Sequence, residues 1–345
     1  MLTVTRVLVV DDSIVMRKVI SRMLSQDAGI TVIGTASNGR EAIERIEELH
    51  PDVVTMDVEM PVMSGIEALK EIMAKNPLPV IVLSALTKDG AQITMEALAM
   101  GASDFVTKDF SNCAAVLEEK QRELVAKVKD AARNRARFGH KRTEIGHKEL
   151  SMDSTVRVRR EILAVGASTG GPPALQSVLS SLPADFPAPI VIAQHMPKLF
   201  TESFSKRLNS LCRIEVKEAE EKERLRPGVA FIAPGDSHMA LRRRGRDVVV
   251  EFVDDRKYIY RPSVDLLMSS TAQVYEGKSI GVILTGMGND GLAGLRELKA
   301  KAGFIIAQDE ETCVVYGMPK AVVSAKIADA VLPINKIAEE IIRVL

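Results

Sequence analysis

The chain has 345 residues, with 46 Lys plus Arg balanced by 46 Asp plus Glu and no Trp. That length favours two domains over one core, and zero net charge argues against a mainly electrostatic nucleic-acid binder. No apolar run reaches the roughly 18 residues of a membrane span, so direct membrane insertion is not expected.

The first residues, "MLTVTRVLVVDDS", hold a short apolar run that ends in two aspartates. They lack a small-residue cleavage site and do not read as a signal peptide. From there strand and helix alternate. "RVLVV" (6–10), "TVIGTA", "DVVTMD", "PVIVLSA" and "DFVTK" read as strands, with helices after each, the last from about Ser111. Ser13 is placed to cap the first helix, with Val15, Val19, Ile20, Met23 and Leu24 at helical spacing. This alternation predicts a doubly wound parallel sheet over 1–123. Residues 124–155, with few large apolar side chains and excess positive charge, read as a helical extension and linker.

From 156 to 345 the pattern returns. "EILAVG", "PIVIAQ", "GVAFIAP", "SIGVILTG" and "FIIAQ" are strand candidates with helices between them, and "MALRRR" with "DVVVEF" around "GRD" suggests a hairpin insert. The fold class expected is therefore α/β: a five-stranded flavodoxin-like domain, then a larger three-layer Rossmann-like domain with a β-hairpin insert. Cys113, Cys212 and Cys313 are odd in number and form no CxxC, which reads as free thiols in a reducing cytoplasm.

In the first domain Asp11 and Asp12 end strand one, Asp57 ends strand three, Ser84 ends strand four and Lys108 ends strand five. A parallel sheet brings these ends to one edge. Carboxylates crowded there repel one another unless a cation joins them. An oxygen-only set suits Mg²⁺. Asp57 could then attack phosphorus to give an aspartyl phosphate, with Lys108 and the Ser84 hydroxyl meeting the phosphoryl oxygens. "VLVVDDS", "DVVTMDVEMPVMSG", "VLSA" and "GASDFVTK" closely resemble the response-regulator receiver domain. The resemblance implies phosphorylation of Asp57 by a histidine kinase. It also implies metal binding by Asp12, Asp57 and the Glu59 backbone carbonyl, with Asp11 nearby.

In the second domain Gly166-Ala-Ser168-Thr-Gly170 fits G-x-S-x-G between a strand and a helix. It suits a nucleophile turn, and a phosphate cradle is the rival reading. A serine nucleophile needs a base and an orienting carboxylate. His195 follows a strand and is preferred over His238, which follows a Pro-Gly turn. Asp290, in the glycine-rich "GMGNDG", is preferred over Asp309, and the Met287 N–H in that loop could serve an oxyanion. The order Ser168, His195, Asp290 differs from the Ser, Asp/Glu, His order of α/β-hydrolases.

"VGASTGGPPAL", "AQHMP", "FIAPGDSHM", "YRPSVDLLM" and "LTGMGNDGLAG" together resemble the catalytic domain of the chemotaxis protein-glutamate methylesterases, the CheB family. The resemblance implies Ser168 as nucleophile, His195 as base, Asp290 as orienting carboxylate, and Thr169 and Met287 N–H groups for the oxyanion. It implies hydrolysis of glutamate γ-methyl esters on the cytoplasmic helices of methyl-accepting chemoreceptors, with glutamine deamidation, in the cytoplasm. No cofactor is expected for the hydrolase chemistry. The receiver would gate the site, covering it until Asp57 is phosphorylated. A response regulator with a non-catalytic C-terminal binding domain is the alternative.

Overall fold

The apolar runs of the first half pair into one parallel sheet. Its strands are β1 (Thr5–Val10), β2 (Ile30–Ala36), β3 (Val53–Asp57), β4 (Val80–Ser84) and β5 (Asp104–Thr107), in the order β2-β1-β3-β4-β5. The computed structural model describes residues 4–109, 114–133 and 159–345, and the chain divides into two compact units, Met1–Val156 and Arg157–Leu345. Every residue of β3 and β4 is buried, as helices on both faces require. The helices are α1 (Ile14–Ser25), α2 (Gly39–Leu49), α3 (Gly65–Lys75), α4 (Lys88–Ala99) and α5 (Ala114–Arg133). Ser13 caps α1 by accepting from Met16 N, and Ser64 with Glu67 forms a capping box on α3. Each cap contributes about 1 kcal/mol.

α5 runs past the boundary expected at 123. Leu124, Val128 and Ala131 are buried with Val7, Val9 and Ile81, so this stretch belongs to the first core rather than to a linker. Residues 134–155 of the expected linker lie outside the described residues.

The second unit is built on a seven-stranded parallel sheet in the order β14-β13-β12-β6-β7-β9-β8. β6 (Ile162–Ala167), β7 (Ile190–Gln194), β9 (Val229–Ile232), β12 (Ser279–Ile283) and β13 (Phe304–Gln308) are the expected strands. Between and after them run α6 (Gly171–Ser180), α7 (Lys198–Leu211), α8 (Val264–Tyr275), α9 (Leu292–Ala300) and α10 (Met318–Ser324). The hairpin insert is present as antiparallel β10 (His238–Arg244) and β11 (Asp247–Val253).

Three elements were not expected. β8 (Glu215–Glu218, "EVKE") and β14 (Ala330–Leu332) are short, partly exposed edge strands without a continuous apolar run. α11 (Ile334–Val344) buries Ile334, Ile337, Ala338 and Ile341, a helical spacing that the sequence does carry.

Candidate active site

Strand register places the serine and the histidine side by side. Ala167 pairs with Gln194 across β6 and β7, and the next residues along are Ser168 and His195. The His195 N–H donates to Ala167 O at 3.1 Å, which ties the imidazole's backbone to the serine turn. Gln194, fully buried, donates from Nε2 to Ser168 O at 2.9 Å and to His195 O at 3.0 Å, bracing both residues. After Ser168 the chain turns through Gly170, whose φ of +73° places it in the left-handed region, and α6 begins at Gly171 with prolines in its first turn.

His195 Nδ1 lies 3.1 Å from Ser168 Oγ, and Nε2 lies 2.8 Å from Asp290 Oδ2. This requires the tautomer with its proton on Nε2, so that Nδ1 accepts the serine hydroxyl. In the usual serine-protease arrangement the two ring nitrogens have the opposite assignments. The reversal follows from the backbone. His195 starts beside the serine turn, so the ring nitrogen nearer the main chain meets Ser168 and the farther one reaches Asp290.

Asp290 comes from the loop after β12, a strand paired with β6 on the side opposite β7. Its carboxylate sits on the N-terminus of α8. Oδ2 accepts from Val264 N at 2.8 Å, while Oδ1 accepts from Asp265 N at 3.0 Å and from the Ser263 hydroxyl at 3.2 Å. Burial opposes its ionisation. The hydrogen bond and charge of His195, with the Val264 and Asp265 N–H groups, outweigh that and hold its carboxyl below the usual carboxylate range. Asp265 is shifted the other way, upward, by burial and by the neighbouring Asp290 charge, although its own carboxylate accepts from Gly294 N.

The loop before Asp290 presses on Ser168. Ser168 N donates to Thr285 O at 3.0 Å, and a Cβ on Gly286 would lie 2.8 Å from Ser168 Cβ, a spacing that only glycine permits. Thr285 Oγ1 joins the two turns by donating to Thr169 O (2.9 Å) or Val315 O (3.2 Å) and accepting from Val315 N. Among the described residues neither Thr169 N–H nor Met287 N–H has a hydrogen-bond acceptor.

The acidic group of the first unit also assembles. One carboxylate oxygen from each of Asp11, Asp12 and Asp57 lies within 4.8 Å of the others. Lys108 Nζ is 2.5 Å from Asp57 Oδ2 and 2.7 Å from Asp11 Oδ2. Burial raises the Asp57 pKa, with the Asp11 charge adding to it and Lys108 opposing it. Three carboxylates facing one ammonium leave an anionic, oxygen-only donor set that fits a hard divalent cation. The Glu59 N–H is 3.4 Å from Asp57 Oδ1. Ser84 is buried and its hydroxyl donates to Gly90 O (3.1 Å) or Ala85 O (3.3 Å), so meeting a phosphoryl group requires it to rotate.

Residues 163–341 match the family model described as CheB methylesterase, and residues 7–118 match the response regulator receiver domain. The chain belongs to the CheB methylesterase family. A relative from Lawsonia intracellularis, named protein-glutamate methylesterase/protein-glutamine glutaminase, is 47% identical over 98% of each chain. A relative of the same name from Thermotoga maritima is 44% identical over 99% of each. The crystal structure of the Thermotoga maritima CheB methylesterase catalytic domain is 46% identical, with a TM-score of 0.53, and covers 55% of this chain and 100% of that one.

Within this CheB-family chain the rival residues fall elsewhere. Asp309 accepts from the backbone and hydroxyl of Thr312 in a local turn. His238 is fully buried at the start of β10, against the edge of the Tyr258 ring (5.5 Å between centroids), and makes no hydrogen bond to Ser168. Burial, aided by the Arg261 charge, lowers its pKa. Ser263, the α8 N-terminus, Thr285, Gln194 and Tyr260 were not singled out from sequence. The only local signal was Ser263 before an apolar helix, in "YRPSVDLLM", and it gave no hint of its partner Asp290. Cys212 and Cys313 are free thiols, and burial pushes the Cys212 thiol up to about 11. Cys113 lies outside the described residues.

Proposed function

We propose that the chain is a phosphorylation-controlled serine hydrolase of chemotaxis, acting on glutamate γ-methyl esters and on glutamines of chemoreceptor cytoplasmic helices. The observation that carries this reading is the continuous relay from Ser168 Oγ through His195 to Asp290, with distances of 3.1 and 2.8 Å. A binding module without chemistry has no use for it.

Ser168 Oγ attacks the ester carbonyl carbon as its proton passes to His195 Nδ1. Asp290 supports the charge on the imidazolium. The Thr169 and Met287 N–H groups receive the oxyanion. As the tetrahedral intermediate collapses, His195 returns the proton to the methoxy oxygen and methanol leaves. A water then gives its proton to His195 and attacks the acyl-serine, releasing glutamate and restoring Ser168. With glutamine the leaving group is ammonia.

Control falls to Asp57, phosphorylated by a histidine kinase, with Lys108 and a rotated Ser84 hydroxyl meeting the phosphoryl oxygens. Asp12, Asp57 and the Glu59 carbonyl would hold Mg²⁺, which when bound offsets phosphoryl charge. Among the described residues no helix is long and apolar enough to cross a membrane. The cytoplasmic face of the receptors is the expected workplace.

Methanol release from methylated receptor membranes tests the activity. Acetyl phosphate with Mg²⁺ is expected to raise the rate of the full-length chain and to leave Asp57→Asn unchanged. EDTA should remove the stimulation and spare the basal rate. An Asp57→Asn chain that still responds sinks the control assignment. His238→Ala should stay within about threefold of the wild-type rate while melting at lower temperature. A loss approaching that of a relay residue would make His238 the base instead.

A further inference from the structure

The relay does not use Tyr260, yet the phenol ring of Tyr260 lies flat on the His195 imidazole, with 4.6 Å between centroids and 11° between planes. Tyr260 belongs to the connection from β11 to α8, which is fastened at several points. Arg261 Nη2 bonds Asp254 Oδ1 at 2.6 Å, and Tyr258 N donates to Asp255 O at 3.3 Å. A few residues on, Ser263, Val264 and Asp265 all donate to Asp290. One short run of chain therefore touches both the imidazole and its carboxylate.

The two hydrogen bonds to His195 lie at opposite edges of the ring. They restrain the ring, but the imidazole can still rock about its Cβ–Cγ bond. Rocking swings Nδ1 and Nε2 away from the Ser168 and Asp290 oxygens, and hydrogen bonds weaken steeply with misalignment. A flat ring packed on the imidazole face opposes that rotation, and stacked aromatic pairs are favourable in their own right.

We propose that Tyr260 is a positioning residue whose ring holds the His195 imidazole in the plane joining Ser168 to Asp290. The proposal rests on the serine hydrolase reading. It predicts that the flat ring is needed and the phenol hydroxyl is not.

The test uses the full-length chain and a fluorophosphonate probe. Ser168 Oγ forms a bond to phosphorus, the P–F bond breaks, and the serine proton passes to His195 as fluoride leaves. Tyr260→Leu keeps apolar bulk without a flat ring. It is expected to slow labelling and to lower kcat for methanol release by about tenfold, with KM within about twofold of wild type. Tyr260→Phe is expected to restore both rates. The ring-proton NMR signals of His195 should move in Tyr260→Leu, as the ring-current shift is lost, and stay in place in Tyr260→Phe. Wild-type labelling speed in Tyr260→Leu, a Tyr260→Phe chain as slow as Tyr260→Leu, or unmoved His195 signals in Tyr260→Leu would each overturn the proposal. If the wild-type chain is labelled no faster than Ser168→Ala, the hydrolase reading itself fails, and the His195 signals still report on the stack.

Discussion

Ser168→Ala is expected to lower methanol release from methylated receptor membranes by about three orders of magnitude or more. In the proposed mechanism the hydroxyl supplies the attacking oxygen, and its side-chain hydrogen bond is the one to His195. Alanine removes that oxygen and leaves nothing in its place to form the acyl intermediate. The Thr169 and Met287 N–H groups proposed to receive the oxyanion, and the rest of the fold, both survive. A residual rate above that of water is therefore expected, since such sites retain part of their catalysis without the nucleophile. Stability should change little. Ser168 follows the last residue of β6 and is only partly buried, and the bonds that set the turn are made by backbone: Ser168 N to Thr285 O and Gly171 N to Ser168 O. A Ser168→Ala chain of wild-type melting temperature that still releases methanol at near-wild-type rate would sink the nucleophile assignment.

Asp290→Asn is expected to lower kcat by about 10³- to 10⁴-fold with little change in KM. Here stability suffers as well. The two carboxylate oxygens accept four hydrogen bonds, from His195 Nε2, Val264 N, Asp265 N and the Ser263 hydroxyl. An amide has only one acceptor oxygen, so whichever way it faces, two donors meet an NH₂ group. Each lost acceptor for a buried donor costs about 1–3 kcal/mol. The pH dependence has a definite sign. The folded-state pKa of Asp290 is depressed, so its contribution is present above the unfolded carboxylate pKa of about 4 and is lost as pH falls through the folded value. The gap in melting temperature between wild type and Asp290→Asn should therefore be wide at neutral pH and narrow in acid. A gap that widens in acid, or unchanged kcat, contradicts the role given to this carboxylate.

Much of this was legible in the sequence because parallel strands carry it. Buried strands such as "ILAVGA" and "IVIAQ" read as continuous apolar runs, and side chains just past their carboxyl ends share one edge of the sheet. Ser168 and His195 could be proposed together for that reason, as could Asp57 and Lys108. Short charged edge strands such as β8 carry no such run, and they went unseen. The first unit was expected to end at 123 because the buried Leu124, Val128 and Ala131 of α5 are diluted in the sequence by Glu123, Lys127 and Lys129.

The sequence by itself therefore determined the two α/β halves, the family motifs and the residue types of the relay, because strand periodicity and chemistry are local. The tertiary structure alone decided which ring nitrogen of His195 faces Ser168, that Asp290 rests on the N-terminus of α8, and that Tyr260 covers the imidazole. These depend on strand register and on loops meeting from distant parts of the chain. Such contacts leave no mark in the spacing of nearby residues, because packing in three dimensions creates them.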